Sequence, residues 1–278
     1  MTAAPARFAM SVDVEDYFQV WAFSGVVRRD DWDRYALRAE DNTRRLLDLF
    51  DEHGAKATFF TLGWVGERAP ALMRDIAARG HEVASHGYDH KKVFDQTPEE
   101  FRADLLKTKK ILEDASGVRV RGFRAAGFSI DKRTPWAHDI LEETGHDYSS
   151  SSHPIAHDHY GDPDAPRGPH RAGGVIEAPV ATAEIFGKRV SCAGGGWFRA
   201  APYALFRRLL DRASATLGGP VIFYLHPWEI DPGQPRIAAA PWKSKFRHYV
   251  NLGVMEKKLA RLLVAYPWTR IDAALGLP

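Results

Sequence analysis

Short apolar runs alternate with longer amphipathic segments along most of the chain. Runs such as "FAMSVDV" and "PVIFYLH" are typical of buried strands. Segments with apolar residues three and four apart predict helices; in "DNTRRLLDLFDEHG" Asp41 is the expected N-cap and Gly54 the stop. A second helix, "TPEEFRADLLKTKKILEDASG", has Thr97 as its cap and a proline in its first turn. The predicted strands cover residues 8–14, 56–62, 81–86, 120–125, 147–151 and 220–226, and the predicted helices 41–54, 70–80, 97–117, 134–145, 201–219 and 248–267.

This alternation of strands and helices predicts an α/β fold with a parallel sheet, either open or closed into a barrel. We find no linker or repeat, so residues 1–278 are expected to form a single domain. Two regions depart from the pattern. An irregular insert at about 153–200 is rich in His, Pro and Gly, and a helical extension covers about 240–278.

Polar residues follow four of the predicted strands. In α/β folds of this kind the active site gathers at the carboxyl ends of the strands, so these residues are expected to lie near one another. They are Asp13, Glu15 and Asp16 after the first strand, His86 and His90 in "SHGYDH", Arg124 in "GFRAAGFS", and His226 in "FYLHPWE".

Each of these clusters alone has an ordinary structural explanation, but together they predict a metal site. The two histidines are four residues apart, so one helical turn would place both rings on the same side. A carboxylate and two imidazoles are the ligand set of an open catalytic Zn²⁺ site. A cation would also offset the repulsion among the neighbouring acids, and a second acid could then serve as a base. Arg124 could orient that base, and His226 could supply the opposite proton function.

The same residues carry a family resemblance. The runs "SVDVED", "HGYDH", "FRAAGF" and "YLH" resemble, in order, the motifs of polysaccharide deacetylases with the NodB homology domain, carbohydrate esterase family 4. "VDVEDYFQV", "GGGWFRAAPY" and "LHPWEIDPGQPR" are similar to a branch associated with exosortase (PEP-CTERM) exopolysaccharide loci. The resemblance implies an irregular (β/α) barrel and the removal of N-acetyl groups from an N-acetylated polysaccharide or oligosaccharide.

Roles for individual residues follow from that resemblance. Asp13 corresponds to the catalytic base, Arg124 to its tether and His226 to the acid that protonates the leaving amine. One divalent metal ion, Zn²⁺ with Co²⁺ or Ni²⁺ as alternatives, would be held by His86 and His90 together with either Glu15 or Asp16. Tyr17 and Trp228 directly follow the motifs and are the expected aromatic platform for the sugar, although core packing is the alternative for such rings.

The chain departs from the family pattern at two positions. Ala126 stands where the family usually has proline, and Ser149 where a later motif has aspartate. Two other functions therefore stay open: a hydrolase of small cyclic amides on the same fold, and a carbohydrate-binding protein with a decayed active site. Acetate release and metal content distinguish these from a deacetylase.

Charge and composition limit the classes of partner and the cellular location that we expect. A formal charge of +2 on 278 residues gives no indication of a nucleic-acid partner, and no apolar run reaches the length of a membrane span. The single cysteine, Cys192, cannot form an internal disulfide. No signal-peptide pattern precedes the first strand, so a cytoplasmic location is expected if the chain is complete there. The sequence does not indicate an oligomeric state.

Overall fold

The computed structural model describes residues 8–157 and 161–278. Its α-helices are α1 Ala39–Glu52, α2 Gly63–Arg68, α3 Pro70–Ala78, α4 Pro98–Ser116, α5 Ala137–Glu143, α6 Gly195–Ala200, α7 Tyr203–Thr216, α8 Trp242–Tyr249, α9 Leu252–Ala265 and α10 Ile271–Ala274. Its strands are β1 Phe8–Val14, β2 Ala57–Thr61, β3 Glu82–Ser85, β4 Gly122–Phe123, β5 Tyr148–Ser149, β6 His170–Ala172, β7 Val175–Glu177, β8 Thr182–Ile185, β9 Lys188–Ser191, β10 Val221–Leu225 and β11 Trp268–Thr269.

One large sheet organises the molecule. Its strand order is β10-β1-β2-β3-β4-β5-β7-β6, with β11 pairing to the start of β1, and β8 and β9 form a separate hairpin. All pairings in the large sheet are parallel except that of β6 with β7. Within the described residues no pairing joins β6 to β10, so the sheet is a curled half-barrel. The α/β fold expected from the sequence is thereby confirmed, in this open form.

Strand β1 is the second strand from the β10 edge of the sheet and positions the first candidate residues. All seven of its residues are buried, because β10 and β2 pair with it on either side. Met10, for example, is opposite Phe223 of β10 and Ala57 of β2. A strand covered on both edges and both faces is held rigidly, which fixes the position of the acids that follow it.

Both halves of the chain build this sheet. Strands β6, β7, β10 and β11 all come from beyond residue 150, and β10 is the direct neighbour of β1. The region expected to be an irregular insert contains the β6–β7 and β8–β9 pairs. Among the described residues, no helix combines the length and apolar character that crossing a membrane requires.

The predicted helices are present in the structure, but some of their predicted caps and ends were wrong. Thr97 caps α4 in a reciprocal capping box with Glu100, as expected. The prediction that Asp41 caps the first helix was wrong, because α1 begins at Ala39. The last predicted helix, residues 248–267, corresponds to α9 and begins later, at Leu252, because Asn251 has a left-handed φ of 55° that separates α9 from α8.

Candidate active site

The carboxyl ends of β1, β3, β4 and β10 bring the predicted residues to one place. Glu15, His86 and His90 each offer one ligand atom, and these three atoms all lie within 4.8 Å of one another. The two imidazole rings have centroids 5.3 Å apart and are inclined by 61°. This cluster, here called the Glu–His–His group, has the composition and size of a site for one divalent cation.

The histidines reach the group by a different route from the one expected. Residues 86–90 form no helix; instead Gly87 and His90 both have left-handed backbone angles, with φ of 74° and 61°. The backbone N–H of Tyr88 donates to the Asp104 carboxylate of α4, which anchors this turn at 3.0 Å. The helical-turn prediction was therefore wrong, and a tight turn brings the rings together.

The chemistry of the three side chains fits a cation. His86 Nδ1 lies 2.8 Å from the Arg124 carbonyl oxygen, so Nδ1 donates there and Nε2 is left as the ligand atom. Burial lowers the pKa of both histidines, which favours the neutral, metal-binding form. Burial also raises the pKa of Glu15 to about 7, since its charge has little compensation. Among the described residues nothing hydrogen-bonds the buried Glu15 Oε2, although His90 Nε2 is 3.0 Å from it.

Asp16, the other acid left open by the sequence, lies outside the Glu–His–His group. Its Oδ2 accepts hydrogen bonds from the backbone N–H groups of Arg38 and Ala39 at 2.7 and 2.9 Å, and its Oδ1 accepts from Tyr17 N at 2.9 Å. The side chain therefore caps the N-terminus of α1 from a distant part of the chain. It supplies the cap that Asp41 was expected to supply.

Asp13 is held by Arg124. Both side chains are buried, and Arg124 Nη1 donates to Asp13 Oδ1 at 2.6 Å. The remaining guanidinium donors reach Ser11 Oγ at 2.9 Å and the carbonyl and hydroxyl oxygens of Ser150 at 3.0 and 2.9 Å. Because each nitrogen has an acceptor, the guanidinium is fixed and in turn fixes the orientation of the carboxylate.

His226 lies at the edge of the same site and is about one-fifth exposed. Its Nε2 is 3.5 Å from Glu15 Oε1, and its Nδ1 is 2.8 Å from Glu229 Oε1. Burial alone would lower the pKa of His226, but the Glu229 hydrogen bond and the Glu15 charge raise it to about 9. Sequence analysis did not single out Glu229, and its spacing of three residues from His226 was the available signal.

The two predicted platform aromatics do not present a ring face. Trp228 is 6% exposed and stacks with His226 and His248, whose ring centroids are 5.0 and 4.0 Å away. Its Nε1 points towards Glu15 Oε1 at 3.5 Å. Tyr17 is 1% exposed and packs edge-on against Phe18. Neither ring can stack a sugar in this arrangement, so both serve as packing around the site.

The two departures from the family pattern have local partners. Ala126 is buried at the start of a 3₁₀ turn, and its carbonyl accepts from Ser129 Oγ at 2.7 Å. Ser149 is buried and donates to Ser151 Oγ at 2.8 Å. The Ser149 side chain thus has a hydrogen-bond partner at the end of β5, whereas the Ala126 bond involves only its backbone.

Two family models match the chain. Residues 30–149 match the polysaccharide deacetylase model, and residues 150–276 match a model described as a domain of unknown function, DUF3473. The first match contains His86, His90 and Arg124, and the second contains His226. The candidate site therefore combines residues from both matched segments.

The curated relatives match only part of this chain. A peptidoglycan-N-acetylglucosamine deacetylase of Bacillus cereus is 32% identical over 130 residues, which cover 45% of this chain and 46% of that protein. A protein of the same name from Listeria monocytogenes, PgdA, is 36% identical over 117 residues, covering 40% and 24% respectively. The chain thus spans less than half the length of these relatives.

A solved structure shows the fold over nearly the whole chain. A candidate polysaccharide deacetylase from Mycobacterium smegmatis superposes with a TM-score of 0.59 at 20% identity. The superposition covers 97% of this chain and 88% of that one. At this identity the likeness concerns the fold alone.

Proposed function

We propose that the chain is a metal-dependent hydrolase that removes N-acetyl groups from amino sugars of a polysaccharide, because residues 30–149 match the polysaccharide deacetylase family model. One observation carries the proposal. The Glu–His–His group lies within a single strand-end site with the Asp13–Arg124 pair and with His226. A ligand set, a held base and a second proton-transfer group are the parts that hydrolysis of an amide requires.

The residues that would hold the cation are Glu15, His86 and His90. A bound Zn²⁺, or Co²⁺ or Ni²⁺ in its place, would polarise both a water molecule and the acetyl carbonyl of the substrate. Neutral imidazoles and one carboxylate leave such a cation a net positive charge, which suits that task.

The chain's own residues move the protons. Asp13 accepts the proton that water loses as its oxygen attacks the acetyl carbon, and Arg124 holds the carboxylate in place. His226 donates a proton from Nε2 to the nitrogen as the C–N bond breaks. The products are acetate and a free amino sugar, so no further reactant is needed.

The substrate class rests on two kinds of similarity. The names of the curated relatives include peptidoglycan-N-acetylglucosamine and chitooligosaccharide deacetylases, so an N-acetylglucosamine polymer is the first candidate. The runs shared with the exosortase-associated branch favour an exopolysaccharide as the physiological polymer. We propose that deacetylation of an exopolysaccharide is the biological role.

The test is acetate release from N-acetylglucosamine oligomers by the purified, zinc-loaded protein. We expect stoichiometric metal and acetate release in the wild type, and loss of both in His86→Ala. Hydrolysis of small cyclic amides without acetate release would instead support the cyclic-amide hydrolase. A protein that retains no metal and releases no acetate would contradict the proposal and support a decayed, carbohydrate-binding site.

A further inference from the structure

A buried ion pair behind His226 has no place in the mechanism described so far. Glu229 is fully buried, as is Arg199 of α6, and Arg199 Nε donates to Glu229 Oε2 at 2.8 Å. The other carboxylate oxygen, Oε1, accepts from His226 Nδ1 at 2.8 Å and from the His226 backbone N–H at 3.1 Å. Among the described residues, all three hydrogen-bond partners of this carboxylate are donors, and two of them belong to His226, the proposed proton donor.

The surrounding chain is built to seat this carboxylate. A Cβ added to Gly195 would lie 2.2 Å from Glu229 Oε2, so glycine at this position makes room for it. This gives a role to one glycine of "GGGWFRAAPY". The Arg199 guanidinium is itself held by the backbone carbonyl of His248 at 3.0 Å, with further bonds to the Val250 and Arg247 carbonyls.

The charge state of Glu229 follows from these contacts. Burial alone would raise its pKa, but the Arg199 charge and the His226 hydrogen bond outweigh burial and hold the pKa below its usual value. An ionised carboxylate is only an acceptor, so the imidazole nitrogen that faces it must carry a proton. That leaves Nε2 as the nitrogen that faces Glu15 and the site.

We propose that Glu229, held by Arg199, is a positioning residue that keeps Nδ1 of His226 protonated and directs Nε2 towards the substrate. This inference rests on the proposed function, because it concerns the proton donor of that reaction. When Nε2 gives its proton to the leaving nitrogen, the Nδ1–H bond to Glu229 stays intact. The imidazolium before the transfer and the neutral ring after it are then both compatible with the same carboxylate.

A purely structural role for Glu229 predicts something different. Glu229 also closes a capping box with His226 at the start of the 3₁₀ turn Pro227–Ile230. If this cap were its only role, Glu229→Gln would lower the free energy of unfolding but leave kcat and the protonated nitrogen of the His226 ring unchanged. In the positioning role both change: with the amide oxygen held by Arg199, the amide NH₂ faces Nδ1 and forces that nitrogen to accept.

The kinetic experiment compares Glu229→Gln with Glu229→Asp on N-acetylglucosamine oligomers. We expect kcat to fall about 100-fold or more in the Gln variant, with KM within about twofold, and the Asp variant to retain more activity than Gln. Glu100→Gln is the matched control, because Glu100 closes the capping box of α4 and should leave kcat unchanged. Equal activity in Glu229→Gln and wild type would overturn the proposal.

A second measurement does not depend on turnover. Nitrogen-15 NMR of the zinc-loaded protein reports which ring nitrogen of His226 carries hydrogen; we expect Nδ1 to be protonated in the wild type and unprotonated in Glu229→Gln. An unprotonated Nδ1 in the wild type overturns the proposal even if the variant does not fold. If wild type releases no acetate but Nδ1 is protonated, the proposed function fails while the positioning contact stands.

Discussion

At the scale of single residues, adjacent acids have separate tasks. Glu15 turns towards the two histidines, whereas Asp16 Oδ2 accepts from backbone N–H groups at the start of α1 and its Oδ1 accepts from the Tyr17 N–H. Spacing in relatives with an Asp-x-Asp motif favours Glu15 as the ligand, but the task of Asp16 could not be predicted because it depends on where the distant helix α1 begins. The difference has a direct consequence for metal binding.

Replacing Asp16 with Asn should weaken the fold and spare the metal. The amide NH₂ would meet a backbone N–H where a carboxylate oxygen now accepts, at a cost of about 1–3 kcal/mol in the free energy of unfolding. Urea unfolding measures that loss, and elemental analysis measures the metal. Glu15→Gln is the matched variant and should lose metal instead; the reverse pattern would assign the ligand to Asp16.

The Asp13–Arg124 pair makes a second prediction at this scale. Arg124→Met leaves the buried Asp13 charge without its partner, and such a change costs about 3–5 kcal/mol in the free energy of unfolding. Adding Asp13→Asn removes the uncompensated charge, so the double variant should be more stable than Arg124→Met alone. Urea unfolding of both proteins checks this order. A double variant less stable than Arg124→Met would show that the charge is not the source of the loss.

The candidate residues were predictable to different degrees. Asp13, His86 and His226 stand at strand ends, and strand ends can be recognised locally from apolar runs. Arg199 could not be found in this way, because its partner Glu229 is thirty positions along the chain and only the folded structure brings them together. Long-range ion pairs leave no periodic pattern in a sequence.

At the scale of secondary structure, the sequence predicted the start of a helix correctly where the capping residue is adjacent to that helix in sequence. Thr97 and Glu100 are three residues apart and define the start of α4 on their own. The start of α1 depends on Asp16, more than twenty residues earlier, so the nearest candidate, Asp41, was misleading. The break between α8 and α9 was missed, because a single left-handed residue, Asn251, does not disturb the apolar pattern.

The α4 capping box leads to the prediction that a substitution there lowers stability and leaves activity unchanged. Thr97→Ala removes the hydroxyl that accepts from the Glu100 backbone N–H and should lower the free energy of unfolding by about 1 kcal/mol. Acetate release should stay at the wild-type rate, since the Thr97–Glu100 cap is exposed at the start of α4, before the Asp104 and Lys107 contacts with the 86–90 turn. Denaturant unfolding and the acetate assay together check both parts. A loss of activity without a loss of stability would contradict this separation.

At the scale of the whole molecule, the two matched segments depend on one sheet. Strand β1 comes before the first matched segment and is paired to β10 from the second, and β11 pairs with Phe8 and Ala9 at the start of β1. The residues of the site therefore take their positions from strands far apart in sequence. The alternating pattern predicted such a sheet, but the order of its strands and its open form appeared only in the structure.

The end of the sheet opposite the site contains a buried acid. Glu82, the first residue of β3, accepts hydrogen bonds from Thr58 Oγ1 at 2.6 Å and from Tyr148 Oη at 2.9 Å. Asp272 of α10 contributes a backbone N–H at 3.4 Å and a nearby like charge. Burial first, and then the Asp272 charge, raise the pKa of Glu82 from 4.5 to about 8.

This raised pKa couples the stability of the molecule to pH. Between the unfolded value of 4.5 and the folded value of about 8, the folded protein binds the proton more tightly than the unfolded chain. The stabilisation is complete below the lower value and is lost as pH rises through the higher one, by up to a few kcal/mol.

Glu82→Gln has no proton to lose and can keep the contacts to Thr58 and Tyr148. Its free energy of unfolding should fall less than that of the wild type between about pH 5 and about pH 9. Urea unfolding of both proteins across that range tests this, and parallel pH profiles would show that Glu82 is ionised in the fold.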